Sequence, residues 1–90
     1  MPTTRTLEIV NTKGLHARAS AKFVEVVEEY DATCTVAKDG LSAAGDSIMG
    51  LLMLAASHGS TIEIETSGLH AEALADALQA LVADRFGEEM

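Results

Sequence analysis

The sequence predicts an α+β fold, a two-layer sandwich in the order β-α-β-β-α-β-α with helices covering one face of a largely antiparallel sheet. Three observations predict it. Short segments, above all residues 60–66, alternate polar and apolar side chains, the period of a strand with one buried face. Longer segments repeat apolar residues at helical spacing. Turn-forming residues separate the two kinds of segment.

The elements follow in order. Thr6, Leu7, Glu8 and Ile9 alternate and form the first strand. Asn11, Thr12, Lys13 and Gly14 make a turn. A helix follows over residues 16–29, with Ala17, Ser20, Phe23, Val24, Val27 and Tyr30 along one face and Asp31 ending it. Residues 33–37 are a β-branched, alternating second strand, and Asp39-Gly40 is a hairpin turn into a short third strand over 41–44. Gly45, Asp46 and Ser47 break the chain and offer a cap to a short helix over 48–55. Residues 60–66 are the fourth strand, and Ser67-Gly68 is a turn. Leu69, Ala73, Leu74, Ala77, Leu78, Leu81 and Val82 then outline the last helix.

Ninety residues make one domain, 1–90, able to bury roughly 60–65% of its unfolded surface. Phe23, Tyr30 and Phe86 are the whole aromatic complement, so aliphatic side chains must build the core. The lone cysteine, Cys34, cannot form an intramolecular disulfide, which fits a reducing compartment. No signal peptide is visible, and the longest apolar run, 48–56, is short of the ~20 residues a bilayer span requires. A cytoplasmic protein without membrane insertion is expected.

The net charge of −8 argues against a nucleic-acid partner. The charge is uneven, however. Residues 9–24 hold Lys13, Arg18 and Lys22 and no acid, so this window is +3 and the rest of the chain −11. His16 lies inside it. Gly14-Leu15-His16-Ala17-Arg18 falls where a turn enters a helix, and the first amides of a helix have no intrahelical partner and favour an anion. Arg18 adds a guanidinium suited to phosphate oxygens. A neutral imidazole nitrogen beside such donors is a nucleophile toward phosphorus. The same residues also fit a plain role for His16 as a helix cap, and spacing alone leaves both open. His16, His58, His70 and Cys34 lack metal-ligand spacing, so no metal and no cofactor are expected.

Gly14-Leu15-His16-Ala17-Arg18 resembles the active-site signature of the HPr family, and residues 47–55, Ser-Ile-Met-Gly-Leu-Leu-Met-Leu-Ala, resemble its second signature. The resemblance spans essentially the whole chain. It implies an open-faced sandwich of four antiparallel strands and three helices. It also implies a phosphocarrier of the phosphotransferase system, not an enzyme with turnover of its own. His16 would take a phosphoryl group on Nδ1 from enzyme I, which draws on phosphoenolpyruvate, and pass it to a histidine of a IIA protein or domain. Arg18 matches the assisting arginine. Ala19 stands where many members carry proline, and this form resembles the nitrogen-regulatory or alphaproteobacterial variant, which favours a regulatory cascade over sugar uptake. A monomer is expected.

Ser47 is a helix cap on its own chemistry. By resemblance it is also a regulatory phosphoserine site for an HPr kinase/phosphorylase, although Asp46 precedes it where many members have a basic residue. Residues 48–54 hold more apolar side chains than one buried face of a two-turn helix accepts, which points to a partner surface. By resemblance to the family, Ala17, Ile48, Met49 and Leu51 are its expected contacts with enzyme I and IIA partners. Two rivals remain. Asp46-Ser47-Ile48 resembles the phosphopantetheine site of an acyl carrier protein, which is an all-helical bundle. A regulatory module that binds partners without transferring phosphate would be indifferent to His16→Ala.

Overall fold

The computed structural model describes residues 2–89. Its elements are β1 (Thr3–Glu8), α1 (Ala17–Glu28), β2 (Thr33–Lys38), β3 (Leu41–Ala44), α2 (Ile48–Met53), β4 (Thr61–Ser67), α3 (Ala71–Ala83) and a short 3-10 turn (Arg85–Gly87). The four strands form one sheet in the order β1-β4-β2-β3, and every neighbouring pair is antiparallel. This is the predicted order of elements.

Alternation along the strands decides what each face does. In β4, Ile62, Ile64 and Thr66 are buried while Thr61, Glu63 and Glu65 are exposed. The register sets Leu7 opposite Ile62 and Val36 opposite Ile64, so one face is apolar across β1, β4 and β2. The helices pack there. α3 lies against β1 and β4, α1 against α2 and α3, and α2 against β3. Phe23, Val24 and Val27 of α1, Leu51 and Leu54, and Leu74, Leu78 and Val82 of α3 meet the sheet in one core. The opposite face is open, as alternation with polar residues requires. The acyl-carrier reading, which needs an all-helical bundle, is excluded by this sheet.

The expected boundaries move where tertiary pairing overrides local pattern. β1 begins at Thr3 rather than Thr6, because β4 supplies partners that far, with Thr66 opposite Thr3 and Ile64 opposite Arg5. α2 stops at Met53, and Ala55 turns left-handed at φ 52°. α3 starts at Ala71, leaving Leu69 exposed in the preceding turn. Its buried stripe is Ala71, Leu74, Ala75, Leu78 and Val82, not the Ala73/Ala77 side, because alanines flank the leucine row on both sides and only packing selects between them. Likewise Ala19, not Ala17, joins the buried face of α1. The β2–β3 turn is as expected: Asp39 and Gly40 both have positive φ, 50° and 82°, the pair a tight two-residue hairpin demands.

Candidate functional site

The entry to α1 is set by Gly14. Its φ is 68°, and a Cβ there would lie 2.5 Å from the Ala56 carbonyl oxygen and 2.9 Å from Ser57 Cα. Only glycine satisfies both the conformation and the close approach. That approach lets the Leu15 N–H donate to Ala56 O at 2.8 Å, which pins the α1 entry to the segment after α2. Leu15 is buried, and Ser20 donates its hydroxyl back to Leu15 O at 3.2 Å. The backbone before His16 is therefore held from two sides.

His16 is the N-cap residue of α1, with extended backbone and no capping hydrogen bond from its side chain. Its carbonyl accepts the Ser20 N–H at 2.8 Å, the first bond of the helix. The next amides, of Ala17, Arg18 and Ala19, are the unpaired donors of a helix start. His16 and Arg18 line one cleft of about 260 Å³ with Thr12, Lys13, Glu88 and Glu89. Arg18 has no hydrogen-bond or ion-pair partner among the described residues and is free to take an anion. A second, shallower depression joins His16 and Lys13 to Leu52, Ala55 and Ala56 at the end of α2.

Two residues that local reading passed over complete the site. Asn11, read only as part of a turn, is fully buried and donates Nδ2–H to Gly14 O at 2.8 Å and to Glu88 Oε1 at 3.0 Å. The other carboxylate oxygen of Glu88 accepts from His16 Nε2. These hydrogen bonds, that from His16 foremost, hold the Glu88 carboxyl below its ordinary value of 4.5. Glu88 lies 72 residues from His16, so no local spacing pairs them. Its arrival also lowers the positive charge that residues 9–24 carry as a sequence.

The second expected site is arranged differently. Ser47 caps α2, its Oγ accepting the Gly50 N–H at 3.0 Å. Ile48, Met49 and Met53 are 40%, 69% and 75% exposed and form an apolar patch. Leu51, expected on that patch, is 0% exposed; it faces the core because α2 turns that side toward α1 and the sheet. Met53 takes its place at the surface. Ala17 is exposed at the start of α1. Ser47, Ile48 and Met49 line neither depression around His16. Cys34 is buried and free; burial foremost, then Asp46, pushes its thiol up to about 12, so it is no nucleophile near neutral pH. The described residues hold no cluster of three or more metal-ligating side chains and no helix long and apolar enough to cross a membrane.

Comparison with known proteins agrees with this geometry. The family described as "PTS HPr component phosphorylation site" matches residues 3–84. The chain is 44% identical over 84 residues to the phosphocarrier protein HPr of Cupriavidus necator, covering 93% of this chain and 94% of that one. It is 40% identical over 84 residues to the phosphocarrier protein NPr of Shewanella violacea, covering 93% and 92%. The crystal structure of HPr-C-His from Thermoanaerobacter tengcongensis superposes with a TM-score of 0.93 at 35% identity, over 98% of this chain and 99% of that one.

Proposed function

The chain belongs to the HPr family of phosphotransferase-system phosphocarriers, and from that premise we propose that His16 accepts a phosphoryl group from phospho-enzyme I on Nδ1 and hands it to a histidine of a IIA protein or domain. The observation that carries this reading is His16 standing as the N-cap of α1 with its ring unused as a cap and Arg18 on the same cleft. The Nδ1 lone pair forms the N–P bond while the bond between phosphorus and the donor's leaving atom breaks, its electron pair staying with the donor. The α1 amides and Arg18 then hold the phosphoryl oxygens. Delivery to the IIA histidine is the same exchange in reverse.

Ile48 and Met49, with Met53, give the two protein partners an adaptable apolar surface, and the exposed Ala17 is a further contact in this proposal. The whole chain acts as one cytoplasmic domain and as a monomer. Whether the final acceptor serves a regulatory cascade or sugar uptake depends on which IIA histidine docks; Ala19 in place of proline supports the regulatory branch. Ser47 is the regulatory site in this proposal. Its hydroxyl accepts from Gly50 and keeps its own proton free for exchange with a phosphoryl group from an HPr kinase.

Incubation with phosphoenolpyruvate and enzyme I, followed by intact-mass measurement, tests the carrier role. One added phosphoryl group, labile in acid, stable in base and absent from His16→Ala, is the expected result. No added mass with the cognate enzyme I would leave the non-transferring module as the surviving reading.

A further inference from the structure

The C-terminal segment is held against His16 by an unusual piece of backbone. Arg85, Phe86 and Gly87 have consecutive positive φ values of 57°, 55° and 78°. Two of the three are not glycine, a conformation of order 1–2 kcal/mol above the right-handed alternative for each. What holds the turn is visible. Phe86 is fully buried in the core, and Lys22 of α1 donates its ammonium to the Phe86 carbonyl at 2.6 Å. The Gly87 N–H donates to Asp84 O at 3.0 Å and the Glu88 N–H to Arg85 O at 2.9 Å. The turn delivers Glu88, whose carboxylate spans Asn11 and His16.

From this geometry we infer that Glu88 is a positioning residue for the phosphoryl acceptor: its carboxylate, oriented by Asn11, holds the proton of His16 on Nε2 and so keeps the Nδ1 lone pair free. The inference rests on the carrier reading above. The orientation is determined by chemistry, not shape alone. Asn11 meets two acceptors, Gly14 O and Glu88 Oε1, so its amide nitrogen must face both. That leaves Asn11 Oδ1 buried with no hydrogen-bond partner among the described residues, an arrangement tolerated only because the two donated bonds fix the amide. The remaining Glu88 oxygen is a pure acceptor and selects the imidazole tautomer protonated on Nε2, as a carboxylate does wherever it orients a reacting imidazole. When Nδ1 takes the phosphoryl group, the Nε2 proton stays in place, and the positive charge that develops on the ring faces the carboxylate.

The arrangement gives the isosteric change a distinctive effect. In Glu88→Gln the side-chain oxygen accepts from Asn11, which turns the amide NH2 toward His16. That NH2 donates to Nε2 and puts the ring proton on Nδ1, where it blocks the nucleophile. In Glu88→Ala neither tautomer is imposed. The test is nitrogen NMR of the His16 ring at about pH 9, above the ordinary titration range of imidazole, together with the rate of phosphorylation by enzyme I. Expected are an Nε2–H ring in the unmodified protein, an Nδ1–H ring in Glu88→Gln and a mixture in Glu88→Ala. Phosphorylation is expected to slow by about tenfold in Glu88→Gln, the value of one hydrogen bond to a charged group reversed, and by less in Glu88→Ala. The same tautomer in all three proteins, or a Glu88→Gln protein phosphorylated no more slowly than Glu88→Ala, would overturn the inference. If the unmodified protein takes no phosphate, the carrier reading fails, while the ring NMR still decides what Glu88 does to the tautomer.

Discussion

The starts of α1 and α2 are two solutions to one problem. Each follows a turn, each has an extended N-cap residue, and each begins with amides that have no partner inside the helix. At α2 the chain closes the terminus itself, with Ser47 Oγ accepting the Gly50 N–H. At α1 the N-cap is His16, whose ring makes no capping bond and instead meets a carboxylate from the other end of the chain. The closed terminus spends its donors on local stability. The open one leaves them uncapped, and its N-cap residue lines a cleft with Arg18 and Lys13. The difference teaches that an open helix terminus is recognised by what its cap side chain does not do, provided that the backbone leading into it is independently held.

The turn that carries this carboxylate to His16 is the first place to break the comparison. Phe86→Ala removes a fully buried ring and the anchor of the left-handed turn. It should cost about 3–5 kcal/mol in urea unfolding, and it should free Glu88 from His16, seen as loss of the distinct Asn11 side-chain amide signals.

A direct comparison of the two caps comes next. Ser47→Ala should lower stability by about 1 kcal/mol, the ordinary value of an N-cap bond. His16→Ala should abolish phosphoryl acceptance; it loses no cap bond, so the stability it loses should be that of its bond to Glu88 and should disappear when the change is made in Glu88→Ala. A loss of stability in thermal unfolding that persists in the Glu88→Ala background would mean that the α1 terminus is closed by its histidine after all.

Ala55 offers a smaller effect of opposite sign. It sits at φ 52° just past α2, beside the His16 depression. Ala55→Gly relieves a left-handed alanine and should stabilise by about 0.5–1 kcal/mol, after the added chain entropy of glycine is subtracted. Melting temperature reads it.

The smallest expected effect is on pH. Glu88 is held below the ordinary carboxyl value chiefly by its bond with His16, with further help from the Asn11 bond and the charges of His16 and Lys13. A depressed carboxyl contributes its stabilisation in full above the unfolded value and loses it as pH falls through the folded one. The contact between the C-terminal segment and Asn11 should therefore be intact at pH 5 and above, and fade below about 4.5. The Ser47 cap, which involves no titrating group, should show no such fading. Side-chain amide shifts of Asn11 and the backbone shift of Gly50, followed from pH 6 to pH 3 (about the carboxyl range), would separate the two.

The line between sequence and structure runs through particular residues. The period-2 run ending in Thr66, the Asp39-Gly40 turn and the Gly14–Arg18 motif were legible because alternation, hairpin chemistry and a glycine at a helix entry are local properties. Which side of the last helix faces the sheet was not legible: alanines flank the Leu74–Leu78 row on both sides and carry no signal of their own. Leu51 looked like a surface residue in a run of apolar neighbours, and only packing against α1 and the sheet buried it while leaving Met53 out.

By itself, then, the sequence determined the order of elements, the strand faces and the position of the glycine–histidine–arginine motif at a helix entry, because each rests on neighbours a few positions apart. Tertiary structure alone decided that Glu88 and Asn11 belong to the site. Their meeting with His16 depends on a buried Phe86, a lysine reaching from α1 and three successive left-handed residues. Contacts across 72 residues are fixed by the packing of the whole core and have no counterpart in local pattern.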